Sequence, residues 1–434
     1  MCGCVPSSLL AGVGEEAEMY GSDPLDERTG NYILDHWRGY LSLPTSYWVN
    51  GTIISGASAM LIIGISSDVA QSDASLQASS AIGVALQLIA LAVWVWGAVG
   101  IWRSSSRHPE RGGSPAWATV AKAMVILGSL NVAGQLTKVS QQLLESTQIA
   151  AGHDPIGTPA TFLVDGQTLK LDGWIVVGSA KHFEEILDQN PQVRHLDLAS
   201  SGGRIREAKQ MASVIRARKL STTASGDCSS ACTILFLAGR ERSVTVGSSL
   251  GFHSPSGVGL SDEEARSSSP DMRSAYEAAG LPYDFIEKAM STPSSSIWRP
   301  TEKQLISAGI INAATPKRII EDNVISARSL NAKAPAKIDE VTSLIRAEAN
   351  GVMLTYFYRV DADAGQVIDR RVMAALRKEN QINVCKDDGL NLLVRSGAIY
   401  RFDYSDRKGR HIASLDVSEC EAPKPTMFFD TTPD

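Results

Sequence analysis

The chain has 434 residues, enough for two to four units at roughly 100–200 residues each. Lys and Arg total 41 against 47 Asp and Glu, a net charge of −6 with no basic run, which argues against nucleic acid as a partner. Charged residues make up only 20% of the chain, and the uncharged apolar runs are concentrated in its first third.

Between Arg38 and Asp68 there is no Asp, Glu, Lys or Arg. Within that gap Tyr47–Ser66 is long enough, at 1.5 Å per helical residue, to cross a hydrocarbon core of ~30 Å. Ile82–Trp102 is a second uncharged run, with Trp94, Trp96 and Trp102 suited to an interface. Trp117–Thr137 is a third, interrupted by Lys122 and Asn131; its other reading is an amphipathic helix lying on the membrane. The loop Ser67–Ala81 carries Asp68 and Asp73, whereas Arg103–Ala116 carries Arg103, Arg107 and Arg111 against Glu110. The positive-inside rule then makes the second loop and the amino terminus cytoplasmic. If all three runs span, the chain beyond residue 140 is periplasmic, on an inner membrane whose bilayer is the first partner.

Cys2 and Cys4 fall on the cytoplasmic side without a lipoprotein signal and read as free thiols. The remaining four, Cys228, Cys232, Cys385 and Cys420, are an even number that suits two disulfides in an oxidising space. Their spacing makes a poor zinc pattern, and no metal or cofactor is called for.

Beyond the membrane part (1–140) the pattern becomes α/β. Thr161–Leu171 reads as a hairpin around Asp165-Gly166, Trp174–Val177 as a buried strand, Ser179–Gln189 as a helix and Val193–Ala199 as a strand. After the break Ser200-Ser201-Gly202-Gly203, Arg204–Leu220 carries a helical apolar stripe. A strand Ser221–Ser225, a helix Ser230–Ala238 and a strand Val244–His253 come next. Short helices are expected over Asp262–Arg266, Asp271–Ala279 and Tyr283–Met290, then a linker over Ala327–Ile338. Val352–Val360 reads as a strand, Gln366–Lys378 as a helix, and Ala398–Tyr404 with His411–Val417 as a hairpin.

The segments LDLASSGGRIREAKQMASVI, SGDCSSACTILFLAGRERSV and LGFHSPS resemble, in order and interval, the crotonase-like superfold as used by the proteolytic subunit of Clp protease. The resemblance covers about Trp174–Ile311. It implies a ββα-repeat domain over 155–325 and a serine peptidase acting on a peptide or protein substrate, in a fold that also builds homo-oligomers. Ser230 falls under the nucleophile and Ser229 under a small spacer. At a strand-to-helix turn the Ser230 Oγ projects at a tight corner; Ala231 N–H and an N–H of Gly202 or Gly203 are the oxyanion donors, and His253 the general base. The family's third residue, an Asp, falls on Ile297; Glu302, Asp284 and Glu287 are substitutes by proximity in sequence. Lys181, Lys209 and Lys219 occupy no recognisable position of the Ser–Lys dyad of signal peptide peptidase A.

Two rivals remain open: a non-enzymatic envelope binding or assembly platform, and an acyl-CoA enzyme of crotonase type, which requires a cytosolic domain and an acidic catalytic residue. The last section, 339–421, resembles a small α+β domain of bacterial envelope proteins, with no implied activity. There Cys385 and Cys420 would tie the helical part to the last strand, and Cys228 and Cys232 are the other pair.

Overall fold

The computed structural model describes residues 28–72, 74–361 and 370–421, and the chain divides into two compact units, Met1–Ala151 and Gly152–Asp434. Cys2, Cys4 and the start of the expected helix Gln366–Lys378 lie outside the described residues.

In the first unit α1 (Tyr32–Arg38) starts at Asn31, whose side chain accepts from the N–H groups of Ile33 and Leu34, and stops at Gly39 in the left-handed region. Three stretches are long and apolar enough to cross a membrane: Thr45–Val69, Leu76–Arg107 and Pro115–Ala150. The helices concerned are α2 (Ser55–Gln71), α3 (Leu76–Arg107) and α4 (Pro115–Ala150). The third is one continuous helix of 36 residues, so the unit ends at Ala151 and not near residue 140. The first stretch opens as a π-helix, Thr45–Ile54, which the apolar pattern does not announce. Its wider turn is matched by hydroxyls reaching carbonyls five residues back, Thr52 Oγ1 to Tyr47 O at 3.1 Å and Ser55 Oγ to Asn50 O at 3.0 Å.

The arginines used for orientation have a structural task as well. Arg103 and Arg107 lie on α3, and their Nη1 atoms donate to the carbonyls of Trp37 (2.9 Å) and Arg38 (2.7 Å); Arg111 reaches Gly39 O and Leu41 O. Those of Trp37, Arg38 and Gly39 are carbonyls at the end of α1, where cations are favoured.

The second unit contains two sheets. In the first, β1 (Thr161–Asp165) and β2 (Thr168–Asp172) form the expected hairpin, and β3 (His195–Ser200) and β4 (Ser221–Ser229) continue it in parallel. The end strands are β5 (Arg242–Val244) and β6 (Ser249–Gly251), both parallel to β4: β5 pairs with its first half, β6 with its last three residues. The single strand expected over Val244–His253 is therefore two, separated by a turn at Gly247 (φ 84°) that a Thr245–Ser248 hydroxyl contact closes. Trp174–Val177 is not a strand. Trp174 and Ile175 make only isolated bridges, to Pro159 and Gly203, because the N–H groups of Val176 and Val177 donate to Ser179 Oγ and Asp154 Oδ2 instead of to a ladder.

Helices α5 (Ser179–Gln189) and α6 (Ile205–Ala217) link the parallel strands. On α6 Ala208, Met211, Ala212 and Ile215, spaced for one helical face, are fully buried with Leu196 and Leu198 of β3. Ala231–Leu237 is α7, buried along its whole length. The insertion forms α8 (Asp262–Ser268), α9 (Asp271–Ala278) and α10 (Tyr283–Ser291), close to the expected bounds, followed by α11 (Glu302–Ser307).

The expected linker Ala327–Ile338 is corrected by α12 (Pro316–Asn331), which extends through its first five residues. Ile319 and Ala327 enter a second core, and the Asn331 side chain exchanges two hydrogen bonds with the backbone of Ala347. The second sheet has the order β11-β10-β9-β8-β7, formed by β7 (Ala336–Lys337), β8 (Thr342–Asn350), β9 (Met353–Val360), β10 (Ile399–Ser405) and β11 (His411–Val417). Strand β8 is not evident in the sequence because a bulge between Leu344 and Arg346 breaks the period of two. Strands β9 and β10 are parallel, and α13 (Arg370–Lys386) and α14 (Asp388–Arg395) lie between them in the chain. Cys385 and Cys420 are disulfide-bonded, Cα atoms 5.5 Å apart.

Candidate active site

The corner between β4 and α7 contains an unusual backbone. Ser230 has φ 56° and ψ −127°, and only one other non-glycine residue among those described, Lys219, has a positive φ. Such a conformation costs about 1–3 kcal/mol and persists where its surroundings dictate it. Two sets of contacts do so here. Ser230 N–H donates to Gly251 O (2.8 Å) at the end of β6, and Ser230 O accepts from both N (2.9 Å) and Oγ1 (2.6 Å) of Thr233.

A serine at the start of a helix ordinarily caps it through Oγ. Ser230 occupies the N-cap position, yet its side chain makes no capping hydrogen bond, because the backbone carbonyl already takes the Thr233 N–H. Its neighbour differs: Ser229 is fully buried and its Oγ donates to Asp227 Oδ2 at 2.8 Å. That geometry separates two adjacent serines that composition cannot. Burial would raise the Asp227 carboxyl, but hydrogen bonds from Ser249, Ser229 and Arg299 outweigh it and hold the group below its ordinary range.

Gly202 and Gly203 lie against this corner, with φ 106° and 144°. A Cβ on Gly202 would stand 2.7 Å from Ser229 O, 2.8 Å from Ser230 Cβ and 3.0 Å from Ala231 N, so only glycine permits the approach. The two glycines are not equivalent as donors. Of the three N–H groups expected as donors, that of Gly202 is directed at Ser200 Oγ (3.1 Å), whereas neither Gly203 N–H nor Ala231 N–H has a hydrogen-bond partner among the described residues. The turn is anchored by Ile175, which donates to Gly202 O and accepts from Arg204 N, and by Arg204, whose guanidinium makes two bonds to Asp154.

If Ala231 N–H receives an oxyanion, Gly202→Ala should lower turnover by about 10²–10³-fold, the scale of losing such a donor, by pushing that N–H out of place. Steady-state kinetics with a melting curve on the same sample checks it, since the loss is expected in kcat.

The Asp154 side chain is buried, and burial alone would raise its carboxyl; hydrogen bonds from Arg204 and from the N–H groups of Val177 and Ile156 prevail and lower it. A lowered folded value means a contribution to stability that is complete above the ordinary carboxylate pKa of about 4 and lost as pH falls through the folded value. Asp154→Asn should cost about 3 kcal/mol at pH 7 and flatten the acid limb of stability against pH, measured by unfolding from pH 7 to 3.

His253 follows β6 and is 9% exposed. Its backbone is fixed on both sides by the facing segment: Phe252 and Trp298 exchange a pair of bonds, and Ser254 N–H donates to Thr292 O. Nδ1 lies 2.6 Å from Ser254 O. A carbonyl only accepts, so Nδ1 carries the proton and Nε2 is the basic nitrogen. Among the described residues no hydrogen bond joins Ser230 Oγ to His253; the link is through backbone, Ser230 N–H to Gly251 O two residues before the histidine.

The three acids offered by the sequence make other contacts. Glu302 is engaged by Arg318, Glu287 by Arg273, and Asp284 accepts from Phe285 N–H. Lys209 and Lys181 pair with Asp271 and Glu185. The antiparallel Phe252–Trp298 bridge instead puts Ile297 in register opposite His253. Asp262, which no sequence motif singles out, is bound by Ser294 (Oγ 2.6 Å, N 3.3 Å), and those bonds, followed by the charge of Arg266, keep its carboxyl low. Cys228 and Cys232 flank the corner as a disulfide with Cα atoms 5.3 Å apart. Among the described residues no group of three or more His, Cys, Asp or Glu is placed to hold a metal ion.

No family model and no curated protein matches the chain. Among solved structures, a ClpP1 variant from Listeria monocytogenes is 17% identical over 35% of this chain and 92% of its own, with a TM-score of 0.29. Two type II secretion system pilotins, EpsS from Vibrio vulnificus and AspS from Vibrio cholerae, are each 16% identical over 24% of this chain and 90% and 92% of their own, with TM-scores of 0.21. At TM-scores this far below 0.5 these likenesses assign neither the fold nor the activity.

Proposed function

We propose that the chain is a membrane-anchored serine hydrolase, a peptidase whose Clp-protease-like domain (155–325) and small α+β domain (339–421) face the periplasm. Ser230 Oγ attacks the carbonyl carbon while His253 Nε2 takes the hydroxyl proton and later returns it to the leaving amine. Water then releases the acyl group by the reverse proton path. Gly203 and Ala231 N–H groups receive the oxyanion. The observation that carries the reading is Ser230 itself: a hydroxyl with no capping bond, on a positive-φ corner, beside an Ala231 N–H that has no partner among the described residues. Three membrane-length helices with the Arg103–Arg111 end inside, and two disulfides beyond them, support the periplasmic placement.

The test is hydrolysis of an unfolded protein substrate and a fluorogenic peptide set by the full chain in detergent. Slow turnover that a fluorophosphonate stops is expected; none in any substrate would remove the peptidase reading. The assembly-platform reading is favoured by one observation, that an isoleucine and not a carboxylate stands opposite His253. It predicts that Ser230→Ala leaves the protein's cellular role intact.

A further inference from the structure

We propose that the Cys228–Cys232 disulfide is a positioning element for the Ser230 site, holding the serine out of the helix-capping conformation, so that the site forms only in chains oxidised as they fold. This deepens the Ser230 reading and rests on it.

The bond closes a five-residue ring, Cys228-Ser229-Ser230-Ala231-Cys232, with the reactive hydroxyl at its centre. One end is fixed in the sheet, where Cys228 pairs with Ser200 of β3 on one side and Leu250 of β6 on the other. The other end is in the first turn of α7, which is buried throughout. Within the ring Ser230 has a choice. At φ 56° its carbonyl takes the Thr233 N–H and Oγ is left free. In the ordinary extended N-cap conformation, Oγ itself would take that N–H, three residues on, and the hydroxyl would be spent as a cap. The capping state is free of the backbone strain, so the contacts that hold the strained corner act best on a fixed frame. The Gly251 O and Thr233 contacts act on single groups; the disulfide adds to the main chain a second covalent link between the strand end and the helix start.

Burial decides what kind of device this is. Both cysteines are 0% exposed, in the same core as Ala231, Ile234 and Leu235. A dissolved reductant has no path to them in the folded domain, so the pair is not a reversible switch. The oxidation must precede closure of the core, which ties the site's formation to an oxidising compartment.

The experiment compares the full chain in detergent with Cys228→Ala/Cys232→Ala and, as control, Cys385→Ala/Cys420→Ala. Two quantities are read: the rate of fluorophosphonate labelling, and backbone hydrogen exchange of the peptide covering 228–236. The first pair should slow labelling by about 10- to 100-fold, the scale of the strain it releases. The loss should fall on the limiting labelling rate with the half-saturating probe concentration unchanged, and exchange in 228–236 should rise while α6 exchanges as before. The control should label at the wild-type rate. Unchanged labelling with unchanged exchange would overturn the proposal, as would equal losses in both pairs. Should the alanine pair fail to fold, Cys228→Val/Cys232→Ala refills the volume and reads the same two quantities. If the wild type itself does not label, the nucleophile reading fails, and exchange alone still decides whether the disulfide fixes the corner.

Discussion

Ser230→Ala is expected to abolish covalent labelling and to lower hydrolysis by about 10²–10⁴-fold, to the level that binding and the oxyanion donors sustain alone. The lower bound comes from another serine protease, in which removing the whole triad costs about 2 × 10⁶ in kcat and removing only the acid about 3 × 10⁴. A site built without an acid therefore has roughly 10² left to lose. The upper bound applies if the Ser254 carbonyl, 2.6 Å from His253 Nδ1, recovers about 10² of what an acid would otherwise supply by holding the tautomer. His253→Ala should give the same loss, and the double variant no more, because nucleophile and base act as one unit. Additive losses, measured by kcat/KM of all three variants, would show that the two residues do not act together.

Ile297→Asp should raise the rate, by a factor bounded at about 10⁴ and set by how much the imidazolium gains from a carboxylate over a carbonyl. The position is opposite His253 by the register of the Phe252–Trp298 bridge, and Ile297 is 42% exposed, so a carboxylate there need not be fully desolvated. Its side chain packs over Gly251, 2.6 Å from where a Cβ on that glycine would stand, which keeps it on the same face as the histidine. The new group would compete with Ser254 O for the Nδ1 proton. Its effect should appear as a shift in the pH–rate profile, since a carboxylate stabilises the protonated ring and raises its pKa. A rate unchanged within about threefold and an unmoved profile would mean that the carbonyl is sufficient and that the departure at 297 is compensated.

Much of the fold is legible in the sequence because local patterns agree with the tertiary structure. Apolar runs of spanning length correspond to Thr45–Val69, Leu76–Arg107 and Pro115–Ala150, and the alternation around Asp165-Gly166 to the β1–β2 hairpin. The failures occur where side chains take over from ladders or patterns are interrupted. Val176 and Val177 look like strand residues, but Ser179 and Asp154 claim their N–H groups. Thr342–Asn350 hides behind a bulge, and a π-helix at Thr45–Ile54 has no apolar periodicity of its own. At the site, the resemblance to the Clp protease subunit singles out Ser230, His253 and the glycine pair as candidates, where spacing alone leaves Ser229 beside Ser230. It cannot assign Gly203 over Gly202, which depends on Ser200 Oγ, nor reveal that Ser254 O orients the histidine. Asp227 and Asp262 are silent in the sequence because an isolated acid carries no signal until its partners, Ser229, Ser249 and Arg299 in one case and Ser294 in the other, are brought to it by the fold.

Whether Ser230 carries the reacting oxygen is tested most directly by mapping a covalent adduct. The full chain in detergent is treated with a fluorophosphonate at neutral pH, digested, and the modified peptide sequenced by mass spectrometry. A single adduct on Ser230 is expected, absent from Ser230→Ala and strongly slowed in His253→Ala. No adduct, an adduct on Ser229, or labelling that persists in Ser230→Ala would contradict the assignment.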